Sequence, residues 1–280
     1  MNNRTISLSM LKQYKMYLCN DEKSKSTVEK YLRDLNRFLE FVSGADINKS
    51  IVLEYKGYLK EHYATASANS MIASLNSFFK YADWNDCCVK QFKVQKKAFA
   101  SEDKELTREE YVRLVETARR RGNERLCLIL QTICGTGIRI SELKHITVEA
   151  VKQGQATVAC KGKTRVIFIV AKLKKQLLRY AQINRISTGA IFVTSSGKDI
   201  SRCNIWRDMK SLCRYAGVSP NKVFPHNLRH LFARIFYNLE KDIVKLADIL
   251  GHSSINTTRI YIITTGCEHR RKMENMRLIL

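Results

Sequence analysis

Apolar residues between Ser7 and Trp84 recur at helical spacing, which leaves little besides an α-helical fold for that stretch. The clearest stripe is Val28, Tyr31, Leu32, Leu35, Phe38, Leu39 and Val42, closed by Gly44. Ser26-Thr27-Val28-Glu29 has the form of a capping box, in which Ser26 accepts from the amide three residues on. Ser50 opens a second helix carrying Ile51, Leu53, Tyr55, Tyr58 and Leu59, and a third runs through Met71, Ile72, Leu75, Phe78, Phe79 and Ala82. With one more near Leu8–Leu18 they make a four-helix unit. Its aromatic stripes follow one buried face and read as core rather than as stacking platforms for bases. Lys25, Lys30, Lys56, Lys60 and Lys80 take the other faces, either as a solvated surface or as one that tracks phosphates.

Periodicity fails between Gln91 and Lys104, in a polar stretch that begins basic. The expected organisation is a helical domain over 1–92, a linker over 93–104 and a second domain over 105–280. The linker suits a clamp closing on a duplex, and a plain tether equally. Thr107–Glu110 is another capping box, with Leu106 and Tyr111 placed as its hydrophobic staple. Helices are expected at Arg108–Arg121, Arg125–Thr132, Ala171–Ile183, Ser201–Ala216, His226–Asn238 and Ile243–Leu250. The strands Ala156–Cys160 and Arg165–Val170 pair as a hairpin across Lys161-Gly162-Lys163-Thr164. The fold class is mainly α with a small antiparallel sheet, in two domains.

Charge narrows the partner. The chain has 49 Lys and Arg against 26 Asp and Glu, a net of +23, which opposes compaction unless a polyanion neutralises it. Nucleic acid fits, because cations that meet phosphates release condensed counterions. No run is long and apolar enough to span a bilayer and Met1–Thr5 leads into no signal-peptide core, so a cytoplasmic protein with no membrane partner is expected. Nine cysteines form no Cys-x-x-Cys pair and, as at Cys127 and Cys134, read as reduced buried thiols rather than metal ligands.

The chemistry-bearing residues lie in three clusters. Gly135-Thr136-Gly137-Ile138-Arg139-Ile140-Ser141-Glu142-Leu143 ends an apolar run, and its glycines allow close backbone approach. Arg139 could fork onto two oxygens of one phosphate, or simply pair with Glu142 at the surface. Cys160-Lys161-Gly162-Lys163-Thr164-Arg165 is a basic turn. Towards the C-terminus come His226-Asn227-Leu228-Arg229-His230, Leu250-Gly251-His252 and Tyr261. His226 and Arg229, three apart, project from one helical face. A phenol is a weak nucleophile at neutral pH and needs an adjacent base and positive surroundings, which this set supplies.

These three clusters, with their spacing, resemble the tyrosine recombinase (phage integrase) family, especially its Xer-like simple recombinases, over nearly the whole chain. The resemblance implies a helical core-binding (SAM-like) domain followed by a catalytic domain. It implies that Arg139, Arg229 and His252 bind the scissile phosphate, that Glu142 orients Arg139, and that His226 assists proton transfer at the nucleophile Tyr261. It selects Lys161 as the general acid for the leaving 5′ oxygen, with Lys163 and Arg165 as contacts to the DNA backbone. His230 falls outside that set, as a packing residue. No metal and no cofactor is implied. The implied reaction is strand cleavage and rejoining through a 3′-phosphotyrosyl bond and a Holliday junction, on double-stranded DNA with inverted-repeat core sites. The implied assembly is a homo-tetramer joined by the apolar C-terminal tail, although that tail could also dock on its own domain. The same residues would serve integration, inversion or dimer resolution. A non-catalytic DNA-binding protein of this fold, or a type IB topoisomerase-like enzyme, are the other two readings.

Overall fold

The structure, a computed structural model, describes residues 4–93, 104–160, 163–194 and 196–261, together with Asn275. Most of the expected linker, the tip of the hairpin with Lys161, and the tail beyond Tyr261 lie outside the described residues. The chain divides into two compact units, 1–96 and 97–280.

The first unit contains α1 (Leu8–Asn20), α2 (Lys25–Val42), α3 (Lys49–His62) and α4 (Thr65–Tyr81). Tyr14, Leu18, Leu35, Phe38, Phe78 and Phe79 are fully buried between them, so the aromatic stripes form the core. Two helix starts differ from expectation. Ser24, not Ser26, caps α2 by accepting from the Thr27 amide at 3.3 Å, and its hydroxyl also bonds those of Ser26 and Thr27. Asn48, not Ser50, caps α3 by accepting from the Ile51 amide at 3.1 Å. In each case an earlier polar side chain reaches the free amides first.

Lys30 does not lie open on the surface of this unit. Its ammonium donates to Oδ2 of Asp34 one turn on, at 2.5 Å, and to the carbonyl of Ser70 and hydroxyl of Ser74 on α4. Ser74 in turn donates to Asp34 at 2.7 Å, and both are buried. This network ties α2 to α4, and removing Asp34 takes away the one carboxylate that both Lys30 and Ser74 face.

The second unit is built around α6 (Glu124–Thr136), in which Leu126 through Leu130, Thr132 and Ile133 are all buried. A helix apolar on nearly every side is a central one. Around it lie α5 (Arg108–Arg120), α8 (Ala171–Ile183), α9 (Arg202–Ala216) and α10 (Pro225–Glu240). The capping box at Thr107 is formed in both directions, and Pro225 takes the first position of α10, where no amide is needed. A 3-10 turn (Ile140–His145) and the short α7 (Val148–Gln153) lead into the hairpin.

The strands are β1 (Gln155–Cys160) and β2 (Lys163–Phe168), antiparallel, with Val158 opposite Arg165 and Cys160 opposite Lys163. The ladder starts two residues earlier in β2 than expected, taking Lys163 and Thr164 into the strand. Two further helices, α11 (Ile243–Leu250) and α12 (Ile255–Arg259), complete the unit. Cys19, Cys87, Cys88, Cys127, Cys134, Cys203 and Cys213 are free; Cys127 is buried and Cys134 half-buried, but Cys19 and Cys203 are exposed. Among the described residues no helix is long and apolar enough to cross a membrane.

Replacing Asp34 with Ala should destabilise the first unit by about 2–4 kcal/mol. Urea unfolding of the full chain checks this, and a midpoint unmoved by the change would show that the Lys30–Asp34–Ser74 network contributes nothing net.

Candidate active site

Four separated segments meet around Arg229. The end of α6 brings Arg139, the start of α10 brings His226 and Arg229, the turn after α11 brings His252, and the end of α12 brings Tyr261. A cleft of about 830 Å³ is lined by Arg139, His226 and Arg229 together with Arg202, Trp206 and Arg207 of α9.

Arg229 is the most unusual of these. Its side chain is 1% exposed, yet its guanidinium is held entirely by neutral acceptors: the Gly137 carbonyl at 2.5 Å, the Leu250 carbonyl at 2.7 Å and Nε2 of His252 at 3.0 Å. Its Nε has no partner among the described residues. Burial, followed by repulsion from Arg139, pulls its pKa down to about 10, and the nearby Tyr261 hydroxyl works the other way. Arg229 stays a cation at neutral pH, with a donor unused and no carboxylate of its own among the described residues. Such a group favours an incoming anion.

Gly137 makes this possible. It closes α6 in the left-handed region at φ 65°, and a Cβ there would sit 2.6 Å from Cδ1 of Phe232 and 3.0 Å from Cδ2 of Leu250. Only Gly137 shows the close approach read from the Gly135/Gly137 pair; Gly135 has open space around it.

Arg139 is one-third exposed and donates from Nη1 to Oε1 of Glu142 at 2.9 Å, while its amide donates to Oε2 at 2.8 Å. Its Nη2 reaches the Gly251 carbonyl at 3.3 Å. The ion pair with Glu142 and a place in the cleft are thus compatible, since the carboxylate holds one edge of the guanidinium. Burial opposes ionisation of Glu142, but the Arg139 amide and the two guanidiniums of Arg165 and Arg139 outweigh it and hold its carboxyl below the usual range.

Because an arginine N–H can only donate, Nε2 of His252 accepts from Arg229. The neutral ring then carries its proton on Nδ1 and donates it to Oγ1 of the fully buried Thr258, at 2.8 Å. Burial, then Arg229, Arg139 and Arg165, push the His252 pKa down to about 4. Tyr261 is buried in a small cluster with Ala233, Leu246 and Leu250. Its ring stacks on His230 at 4.1 Å and 17°, meets His226 edge-on at 5.3 Å and lies 5.0 Å from His252. His230, held at about 4 by burial and then by His226 and nearby arginines, is the floor under the phenol. His226 stands exposed at the rim, with its pKa lowered by partial burial, Arg229 and Arg139, effects that solvent there screens.

The basic turn is divided. Lys161 lies outside the described residues, and of Lys163 only its place opening β2 is described. Arg165, expected at the DNA backbone, instead turns inward: its side chain is 9% exposed and both terminal nitrogens are occupied within the protein. Thr258 and the cleft residues Arg202, Trp206 and Arg207 were not singled out by sequence, whereas His230, read as a packing residue, stacks on Tyr261. Only the spacing of Arg202 and Trp206 on one face of α9 hinted at a shared surface.

A model of the Phage integrase family matches residues 104–265, and one of the family's N-terminal SAM-like domain matches residues 11–86. The chain belongs to the phage integrase family. Tyrosine recombinase XerA of Pyrococcus furiosus is 30% identical to it over 290 residues, spanning 100% of this chain and 98% of the relative. Among solved structures, a XerH site-specific recombinase bound to its difH substrate before cleavage shares the fold with a TM-score of 0.70. It is 20% identical, over 96% of this chain and 85% of that one. A lambda integrase dimer on a COC′ core site has a TM-score of 0.75 at 18% identity, over 94% and 97%. As a phage integrase family member the chain has its family-matched catalytic region in the second unit, where the cleft lies.

Two outcomes are expected. Gly137→Ala must displace either Phe232 or the carbonyl that holds Arg229, and should cost about 1–3 kcal/mol of stability, with DNA cleavage falling further than DNA binding; equal losses in both would point to general disorder instead. The second concerns acid. Unfolded imidazoles titrate near 6.5, whereas His230 and His252 titrate near about 4 in the folded chain. The unfolded state therefore binds more protons in between, and stability falls as pH drops from about 6.5 towards about 4. His230→Gln should flatten that slope, read as thermal midpoint against pH at fixed ionic strength; an unchanged slope counts against a neutral buried His230.

Proposed function

We propose that this tyrosine recombinase cleaves and rejoins double-stranded DNA at specific sites, with Tyr261 as the nucleophile. The observation that carries the reading is the convergence of four segments around one buried cation: Arg139 and Arg229 line the cleft, His252 bonds to Arg229, and the ring of Tyr261 packs 5.0 Å from His252. The phenolic oxygen forms a bond to phosphorus, the P–O5′ bond breaks, and the strand is left as a 3′-phosphotyrosyl ester beside a free 5′ hydroxyl. His226 at the rim takes up the phenolic proton, and Lys161 protonates the departing 5′ oxygen. Arg139, Arg229 and His252 offset charge building on the non-bridging oxygens. One phosphoester is exchanged for another, so a 5′ hydroxyl from either strand reverses the step without ATP.

Other parts of the reading rest on the family. The helical region 1–92 acts as the core-binding domain, with 93–104 as its linker to the catalytic domain 105–280, and Lys163 contacts the DNA backbone. The sites are inverted repeats, exchanged by a homo-tetramer through a Holliday junction, the arrangement that a lambda integrase tetramer bound to such a junction supports. The apolar tail after Tyr261 joins neighbouring protomers, and the enzyme works in the cytoplasm, on the nucleoid if the host is bacterial. A full-length relative named as a recombinase weighs against the topoisomerase-like and non-catalytic readings.

Incubation with a library of nicked duplexes, then denaturing capture of protein-linked strands, tests the proposal. The expected product is a 3′-linked adduct lost in Tyr261→Phe, whose sequence gives the site. Tight DNA binding with no adduct on any duplex would favour the non-catalytic reading, and an adduct that persists in the variant would move the nucleophile elsewhere.

A further inference from the structure

Arg165 sits on β2 opposite Val158, four residues beyond Lys161, and makes no contact that a DNA backbone could share. Its Nη2 donates to Oε2 of Glu142 at 2.5 Å and its Nη1 to the Ile249 carbonyl at 2.5 Å. The one nitrogen left, Nε, is buried and without a partner among the described residues. Its Cδ lies over Gly251, so close that a Cβ there would stand 2.5 Å away. With its side chain 9% exposed and each terminal nitrogen already bonded to Glu142 or the Ile249 carbonyl, this guanidinium is directed into the protein rather than out towards a DNA backbone.

What those partners hold is the cleft itself. Glu142 takes the amide and Nη1 of Arg139. The segment that Arg165 grips at Ile249 supplies, in its next three residues, the Leu250 carbonyl to Arg229, the Gly251 carbonyl to Arg139 and the imidazole of His252. One arginine therefore ties the hairpin strand to every segment that presents a phosphate-facing group except the start of α10, and reaches that one through Leu250. Glu142 is also shared between two guanidiniums. Without Arg165 its whole charge would fall on Arg139, and Arg139 would be drawn from the phosphate toward the carboxylate.

We propose that Arg165 is a positioning residue for the phosphate cleft: it clamps the base of the hairpin, Glu142 and the turn 249–252 into one unit, and so sets Arg139, Arg229 and His252 against the scissile phosphate. This rests on the assignment of that cleft as the strand-cleaving site, and it replaces the reading of Arg165 as a DNA contact.

The full chain and its Arg165→Ala and Arg165→Gln variants are compared on two DNAs, a mixed-sequence duplex for binding and the nicked duplex recovered with the parent for cleavage. Affinity for the duplex is followed against salt. The slope should match the parent's, because no phosphate contact is lost; a slope shallower by about one would overturn the proposal in favour of direct contact. Single-turnover adduct formation at saturating DNA should fall about 10²-fold in Arg165→Ala, with the adduct still absent in Tyr261→Phe. Cleavage at the parent's rate, still dependent on Tyr261, would overturn the positioning role and leave the site assignment standing. An adduct unaffected by Tyr261→Phe would remove the site assignment and the proposal with it. Arg165→Gln keeps a side-chain donor and most of the stem over Gly251, so if the alanine variant fails to fold the same readings apply to glutamine. Melting of Arg165→Gln alongside the parent, combined with slowed cleavage, separates misplaced catalytic groups from a loosened fold.

Discussion

A fully buried guanidinium governs the second unit. Arg229 is taken out of water without an ion pair among the described residues, and its charge is carried by the ends of backbone carbonyls and one imidazole. Burial of an unpaired cation is costly unless hydrogen bonds satisfy it, so each acceptor must be fixed in place. That requirement reaches far into the fold. The Gly137 carbonyl is fixed by the left-handed end of α6, and α6 is fixed by packing on nearly every side. The Leu250 carbonyl is fixed by the end of α11, which Arg165 braces from below.

The surroundings of Arg229 explain why the other groups look as they do. Cations crowd the cleft, so the imidazoles near it stay neutral and pack as rings; His230 lies flat against Tyr261 as an aromatic surface would. Glu142 is the counterweight that lets Arg139 and Arg165 stand near one another, and it stays ionised despite its burial because three donors face it. The exposed lysines and arginines elsewhere have a different task. They draw in a polyanion over a distance, while in the proposed mechanism the buried set acts only on a phosphate already seated.

Much of this was legible in the chain. The helical stripes placed α1 to α4 because burial of aromatics is periodic, and Ala171–Ile183 and Ile243–Leu250 were read to the residue. Helix starts were less legible where hydroxyls cluster: Ser24, Ser26 and Thr27 are all competent caps, and only the folded geometry selects Ser24. Gly162 and its flanking lysines signalled a turn, but the ladder hydrogen bonds carried Lys163 and Thr164 into the strand. Lys30 had its partner in plain view four residues on, at a spacing that pairs charges on a helix. Arg165 could not be read this way. Its partners lie in the 3-10 turn and at the end of α11, far off in sequence, and a basic residue near a hairpin tip looks the same whether it faces out or in.

The hydrogen bond between Arg229 and His252 has a consequence for timing. While Nε2 of His252 accepts from Arg229, that nitrogen has nothing to give an oxygen arriving in the cleft; the ring's proton is on the far side, held by Thr258. For His252 to donate from Nε2, the ring must either shift its proton from one nitrogen to the other or gain a second. Under the proposed mechanism, seating of the phosphate and the arming of this histidine are therefore separate events, and the second waits on a proton.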